Sequence, residues 1–265
     1  MTVISNIDMS LATIGITVPD AHEAADFVAS LLGATATDGA SVPVSGGTTV
    51  EFTSSADADQ SPPRLVDVGT NHLCFTVGDI DAAASYLAAR GDVSVLGDVI
   101  TVPEGPIAGN RWIYFRSPWG TLFELQQWPE TPGYFGDTDA RLHHRREDIP
   151  SALLPTCRGL DHSGYSVTDL DATIARLVSS HSATEVLRTE IEANREFMLA
   201  QFDLDVAGTS RMAMVSVGEL NIELFEHRIG RKHGARSLTS NGGNFLTVPT
   251  AQNNSGSVRL FPGAL

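Results

Sequence analysis

Three glutamates stand inside apolar, strand-like runs of this chain: Thr49-Val-Glu51-Phe52, Thr121-Leu-Phe-Glu124-Leu125 and Asn221-Ile-Glu223-Leu224-Phe225. Two histidines, His72 and His162, open other β-rich runs ahead of the second and third of these. A lone histidine in a strand is most often a hydrogen-bonded core residue, but a carboxylate buried without a partner is expensive. A glutamate that recurs in this setting, twice preceded by a histidine, calls for a shared partner, and a divalent cation supplies one. Imidazole nitrogen with carboxylate oxygen suits Fe, Mn, Co, Ni or Zn. The competing assignments are pairing with arginines across an interior, or a solvent-facing strand. No HExxH or CxxC gathers the ligands into one local motif.

The elements that would position these residues repeat three times. Thr13-Ile-Gly-Ile-Thr-Val-Pro-Asp20, His72-Leu-Cys-Phe-Thr-Val-Gly-Asp79 and His162-Ser-Gly-Tyr-Ser-Val-Thr-Asp169 each place Val five residues and Asp seven residues after the first position. The aspartate suits a helix N-cap, and Glu23 stands where a capping box would complete the first. Apolar residues at helical spacing follow: Ala24, Phe27, Val28, Leu31 and Leu32; Ile80, Ala83, Ala84 and Leu87; Leu170, Ile174, Leu177 and Val178. Further strand candidates, such as Arg111–Phe115 and Arg211–Val215, lie between each of the last two helices and its closing strand. The unit reads β-α-β-β-β, compressed in its first copy.

Composition narrows the function classes. The 265 residues carry 17 basic and 32 acidic side chains, a net charge of −15, which argues against nucleic acid or an anionic membrane as partner. Residues 228–265 depart from this: they hold Arg228, Arg231, Lys232, Arg236 and Arg259 and no acidic residue. No run approaches the length of a membrane span, and the N-terminal MTVISNIDMS lacks the pattern of a signal peptide. Two cysteines, Cys74 and Cys157, make no disulfide framework, so a reducing cytoplasmic location is expected. No Gly-rich phosphate loop follows a strand, which leaves a nucleotide cofactor without support.

The run Gly109-Asn-Arg-Trp-Ile-Tyr-Phe-Arg-Ser-Pro-Trp-Gly-Thr-Leu-Phe-Glu124-Leu125, read with the repeats, resembles the vicinal oxygen chelate superfamily. That group includes glyoxalase I, methylmalonyl-CoA epimerase, fosfomycin-modifying enzymes, bleomycin-binding proteins and extradiol dioxygenases. The resemblance implies an α+β fold in which paired βαβββ modules curl into an open cup around a metal. Ligands would come from the first and last strands of each module: His72 and Glu124 in the second, His162 and Glu223 in the third. Thr13 occupies the place where the family commonly has His or Gln, which leaves Glu51 free to act as a catalytic base.

Covalent order suggests a two-module domain at 1–137, a linker at 138–157, a third module at 158–227 and a basic, Gly/Asn/Ser-rich tail at 228–265. A third module without a fourth is half a cup, so a homodimer is expected; the other pairing joins the second and third modules within one chain. The function implied is a metal-dependent isomerase or epimerase of a small oxygenated metabolite, working through an enolate or enediolate. An Fe(II) ring-cleaving dioxygenase and a non-enzymatic binding protein are the alternatives, the last with Trp112, Tyr114, Trp119 and Trp128 lining a groove. His22, His143, His144, His181, His227 and His233 have no recurring partner and are read as surface or linker residues.

Overall fold

The computed structural model describes residues 12–37, 39–44, 47–57, 60–249 and 257–260. The N-terminal segment read above for a leader lies outside the described residues. In chain order the elements are β1 (Thr13–Val18), α1 (Ala21–Leu32), β2 (Ser41–Pro43), β3 (Thr49–Ser54), β4 (Asn71–Val77), α2 (Ile80–Ala89), β5 (Ser94–Thr101), β6 (Arg111–Arg116) and β7 (Leu122–Gln127). They continue with β8 (Cys157–Ser166), α3 (Leu170–His181), β9 (Thr184–Ala193), α4 (Arg195–Phe202), β10 (Gly208–Val217), β11 (Leu220–Arg228), β12 (Asn244–Pro249) and β13 (Ser257–Leu260).

The three repeated aspartates do what their spacing suggested. Asp20 accepts from the backbone N–H of His22 and Glu23, Asp79 from Asp81 and Ala82, and Asp169 from Ala172. Each cap is worth about 1 kcal/mol and fixes where strand gives way to helix. The helices bury their apolar stripes against the strands: Ala24, Val28 and Leu31 join Ile14, Ile16 and Val18, while Ile80, Ala83 and Leu87 join Leu73, Phe75 and Val77 in one continuous core. In α3 the stripe is narrower than its sequence suggested, because Val178 is exposed.

Two sheets form. One has eight strands in the order β5-β6-β7-β4-β8-β11-β10-β9, and the other has five in the order β13-β12-β1-β3-β2. The modules therefore pair differently from covalent order. The second module (β4 to β7) and the third (β8 to β11) share one sheet through the antiparallel β4–β8 pair. The first module instead takes β12 and β13 from the region read above as a basic, Gly/Asn/Ser-rich tail. Two strand pairings decide this. β4 offers His72 and Cys74 to Gly164 and His162 of β8, whereas β1 offers Gly15 to Phe245 of β12. The face for which a homodimer was invoked is thus covered inside the chain.

The first module docks through α1 onto the large sheet. Phe27 meets Trp119 edge-on at 5.4 Å between ring centroids and lies 5.9 Å from Phe123. Trp119, expected in a groove, is accordingly a packing residue that also donates its indole N–H to Thr121.

Candidate metal centre

One register rule places all three glutamates. In the parallel pair of each module the glutamate stands opposite the residue two after the repeat's first position: Gly15 with Glu51, Cys74 with Glu124, Gly164 with Glu223. Because side chains alternate along a strand, the first residue of the repeat and the glutamate then share a face. The reciprocal pairing of β4 with β8 brings two such faces together. Glu124 and Glu223 approach from β7 and β11, on either side of His72 and His162.

The four side chains converge, with one ligand atom from each lying within 4.8 Å of all the others. His72 Nε2 lies 3.2 Å from His162 Nε2, 3.3 Å from Glu124 Oε2 and 3.2 Å from Glu223 Oε2. His162 Nε2 lies 3.4 Å from each carboxylate oxygen. All four residues are buried. Glu124 Oε2 and Glu223 Oε2 make no aligned hydrogen bond, an arrangement costly for bare carboxylates. Donor atoms 3.2–3.4 Å apart have the spacing of ligands sharing one cation at roughly 2.0–2.2 Å. The donor set of two imidazoles and two carboxylates fits a divalent metal.

The surroundings hold these ligands in place. His162 Nδ1 faces Asp161 Oδ1 at 2.9 Å, while Thr76 Oγ1 and Trp128 Nε1 donate to Asp161 Oδ2 at 2.7 and 2.9 Å. Burial works against charge on Asp161, but His144, His162 and Thr76 outweigh it and hold the carboxyl well below the usual range. Such a carboxylate fixes the histidine tautomer and leaves Nε2 free to bind a metal. Burial alone would push His72 down; the carboxylates of Glu124 and Glu223 override it and raise the imidazole. His162 is raised well above its ordinary value for the same kind of reason, burial being outweighed by Cys74, Glu223 and Asp161. Burial opposes charge on Glu223 as well, but the two histidines lower it. Cys74 adjoins His162, and burial with the nearby Glu124 pushes its thiol far up, so it stays protonated and competes poorly as a ligand.

A cavity of about 720 Å³, its open mouth included, rises from Glu124 and Glu223. Trp112, Tyr114 and Trp128 line it, as expected of three of the four aromatics, and α4 closes one side with Phe197, Met198 and Phe202. Sequence patterning gave no sign of α4 or of its role as a wall.

Glu51 is not part of this centre. It lies on β3 in the five-stranded sheet, beside Gly15, and on the register-paired β12 Phe245 covers that glycine. Thr13, the other residue at the first module's ligand positions, pairs with Thr49 and Thr247 rather than reaching His72 or Glu124. The catalytic role expected of Glu51 is therefore withdrawn. Two histidines read as surface or linker residues are buried instead, His227 lining the cavity and His181 ending α3, and a third, His144, is half-buried and stacks on Trp128 at 5.2 Å. Both cysteines are free and buried, and no helix among the described residues is long and apolar enough to cross a membrane.

Comparison with known proteins agrees with this architecture. A glyoxalase I variant from Zea mays superposes with a TM-score of 0.51 at 13% identity, covering 95% of this chain and 92% of the maize one. Over 87 residues, 33% of this chain, the sequence is 46% identical to a 2-epi-5-epi-valiolone epimerase from Actinomyces sp. The chain spans about half the length of that curated relative, 48%. Residues 10–125 match the model of the Glyoxalase/Bleomycin resistance protein/Dioxygenase superfamily, and the fold is shared almost end to end with the maize protein.

Proposed function

We propose that this protein is a divalent-metal-dependent isomerase or epimerase of a small oxygenated metabolite, with His72, Glu124, His162 and Glu223 as the metal ligands. The observation that carries the reading is the buried four-residue cage, whose two carboxylate oxygens lack any other partner. A metal bound there would act as a Lewis acid toward two adjacent substrate oxygens and stabilise charge developing next to a carbonyl. The chain's part is to move the proton. Glu124 and Glu223 both border the cavity, from opposite sides of the β4–β8 pair, so a carbon held between them has a carboxylate toward each face. One glutamate, ionised, would take the proton from one face, while the other, which must enter the step protonated, would give a proton to the opposite face; this inverts the centre and leaves the pair with its protonation exchanged. The apolar walls exclude water that would otherwise quench the carbanion-like species.

The epimerase relative supports the isomerase class. A ring-cleaving dioxygenase needs only two histidines and one carboxylate around open positions. Here the second glutamate would offer the metal a further ligand, which favours isomerisation. The test is metal content by plasma mass spectrometry on tag-free protein, followed by deuterium wash-in from D2O at the carbon next to the carbonyl of cyclic α-hydroxyketones. Binding of one metal per chain and wash-in that fails in both Glu124→Gln and Glu223→Gln is the expected outcome. Absence of metal after reconstitution with Fe, Mn, Co, Ni or Zn would leave the binding-protein reading standing.

A further inference from the structure

Ser210 on β10 and His227 on β11 are register partners, and Ser210 Oγ meets His227 Nδ1 at 2.8 Å. The imidazole is buried and stacks on Phe225, with 5.1 Å between centroids and 8° between planes. Its other nitrogen, Nε2, has no hydrogen-bond partner, although the residue lines the cavity above the cage. Burial and the Lys232 charge push His227 down to about 3, so the ring is neutral. Gln126 Oε1, two residues beyond Glu124 on β7, also borders the cavity without a partner. Each such atom is costly to bury unless a ligand satisfies it.

The walls around these atoms are apolar: Trp112, Phe197, Phe202, Met212, Met214 and Phe225. A polyhydroxylated ring would leave its hydroxyls unpaired against them. A flat apolar ring would gain both burial and stacking. Glu223, Phe225 and His227 alternate along one face of β11, so the strand runs about 13 Å from the first to the last. A molecule that reaches both ends needs more than one ring.

We propose that this cavity binds a flat, mainly apolar compound of at least two rings, with adjacent oxygens toward the cage and a hydrogen-bonding group at its far end received by His227 Nε2. The oxygen end rests on the metal chemistry proposed above; the walls and His227 stand without it.

The test uses chelator-stripped protein and three probes, 2-naphthol, naphthalene and myo-inositol, followed by tryptophan fluorescence. Saturable binding of 2-naphthol is expected, about fivefold or more tighter than naphthalene, with that preference lost in His227→Phe. Filling the cavity by Met212→Trp should weaken 2-naphthol about tenfold or more; Ala193→Leu, with circular dichroism to verify folding, serves if the larger residue misfolds. Displacement of 2-naphthol by millimolar myo-inositol, a preference that survives in His227→Phe, or binding unchanged in folded cavity-filling variants would overturn the proposal. Metal analysis of the same samples keeps the two readings apart, since a protein that holds no metal yet shows the expected naphthol pattern refutes only the isomerase.

Discussion

Gly164 lies opposite His72 across the β4–β8 pair, and a Cβ on that glycine would stand 1.9 Å from His72 Cε1. The imidazole rests on bare backbone, and that is what brings Nε2 into the cage. Gly164→Ala should therefore displace the ring, cost about 1–3 kcal/mol of stability by overpacking, and weaken metal binding. Urea midpoints and a metal titration against a chromogenic chelator measure both; unaltered affinity would show that the contact does not orient His72.

Asp161 touches no cavity atom of the proposed reaction yet anchors His162 Nδ1. Asp161→Asn can still accept at one oxygen but loses the charge that favours the Nδ1–H tautomer. Metal affinity should fall about 10- to 100-fold, with retained far-UV circular dichroism. Equal affinities in the two proteins would remove Asp161 from the account.

Metal uptake should release protons. Without metal, the paired histidines have raised values, so their contribution to stability is fully present below the unfolded value of about 6.5 and is lost as pH rises through the folded values. A cation requires both imidazoles neutral. Affinity should therefore increase with pH across that range, and calorimetry in buffers of different ionisation enthalpy should show net proton release. A heat independent of buffer would contradict the coupled cage.

His227 gives the opposite pH signature. Its folded value lies at about 3, below the unfolded value of about 6.5, so between these the unfolded chain holds more protons and stability rises with pH. Relative to His227→Gln, the wild type should lose up to about 1.4 kcal/mol per unit as pH falls through that window. Parallel urea midpoints at pH 5 and pH 7 in both proteins would reject the burial of a neutral ring at this position.

The repeated residues announced the modules but not their partners. Asp20, Asp79 and Asp169 cap helices for reasons contained in a few residues, and the glutamates follow from a register internal to each module. Which module faces which depends on a contact between first strands, where His72 needs a glycine at 164 and Phe245 needs one at 15. Nothing local encodes that choice, and the tail that supplies Phe245 carries no repeat. His227 escaped notice because its partner Ser210 belongs to the neighbouring strand, and its meaning appears only when β10 and β11 are aligned. The short α4 shows weak amphipathic patterning, since what it covers is a cavity rather than a packed sheet face.

The union of β1 with β12 sets an order of assembly. Thr17 Oγ1 donates to the carbonyl of Leu238, 221 positions along the chain, and Thr13 pairs with Thr247. Every strand of the eight-stranded sheet lies within residues 71–228, so the ribosome delivers that sheet whole before β12 emerges. Until then β1 is an unpaired edge, the kind of surface that recruits strands from other molecules. Loop closure over such a span adds little to the equilibrium cost but slows the search. A chain stopped before Asn244 would retain every residue of the cage and lose its protection against self-association.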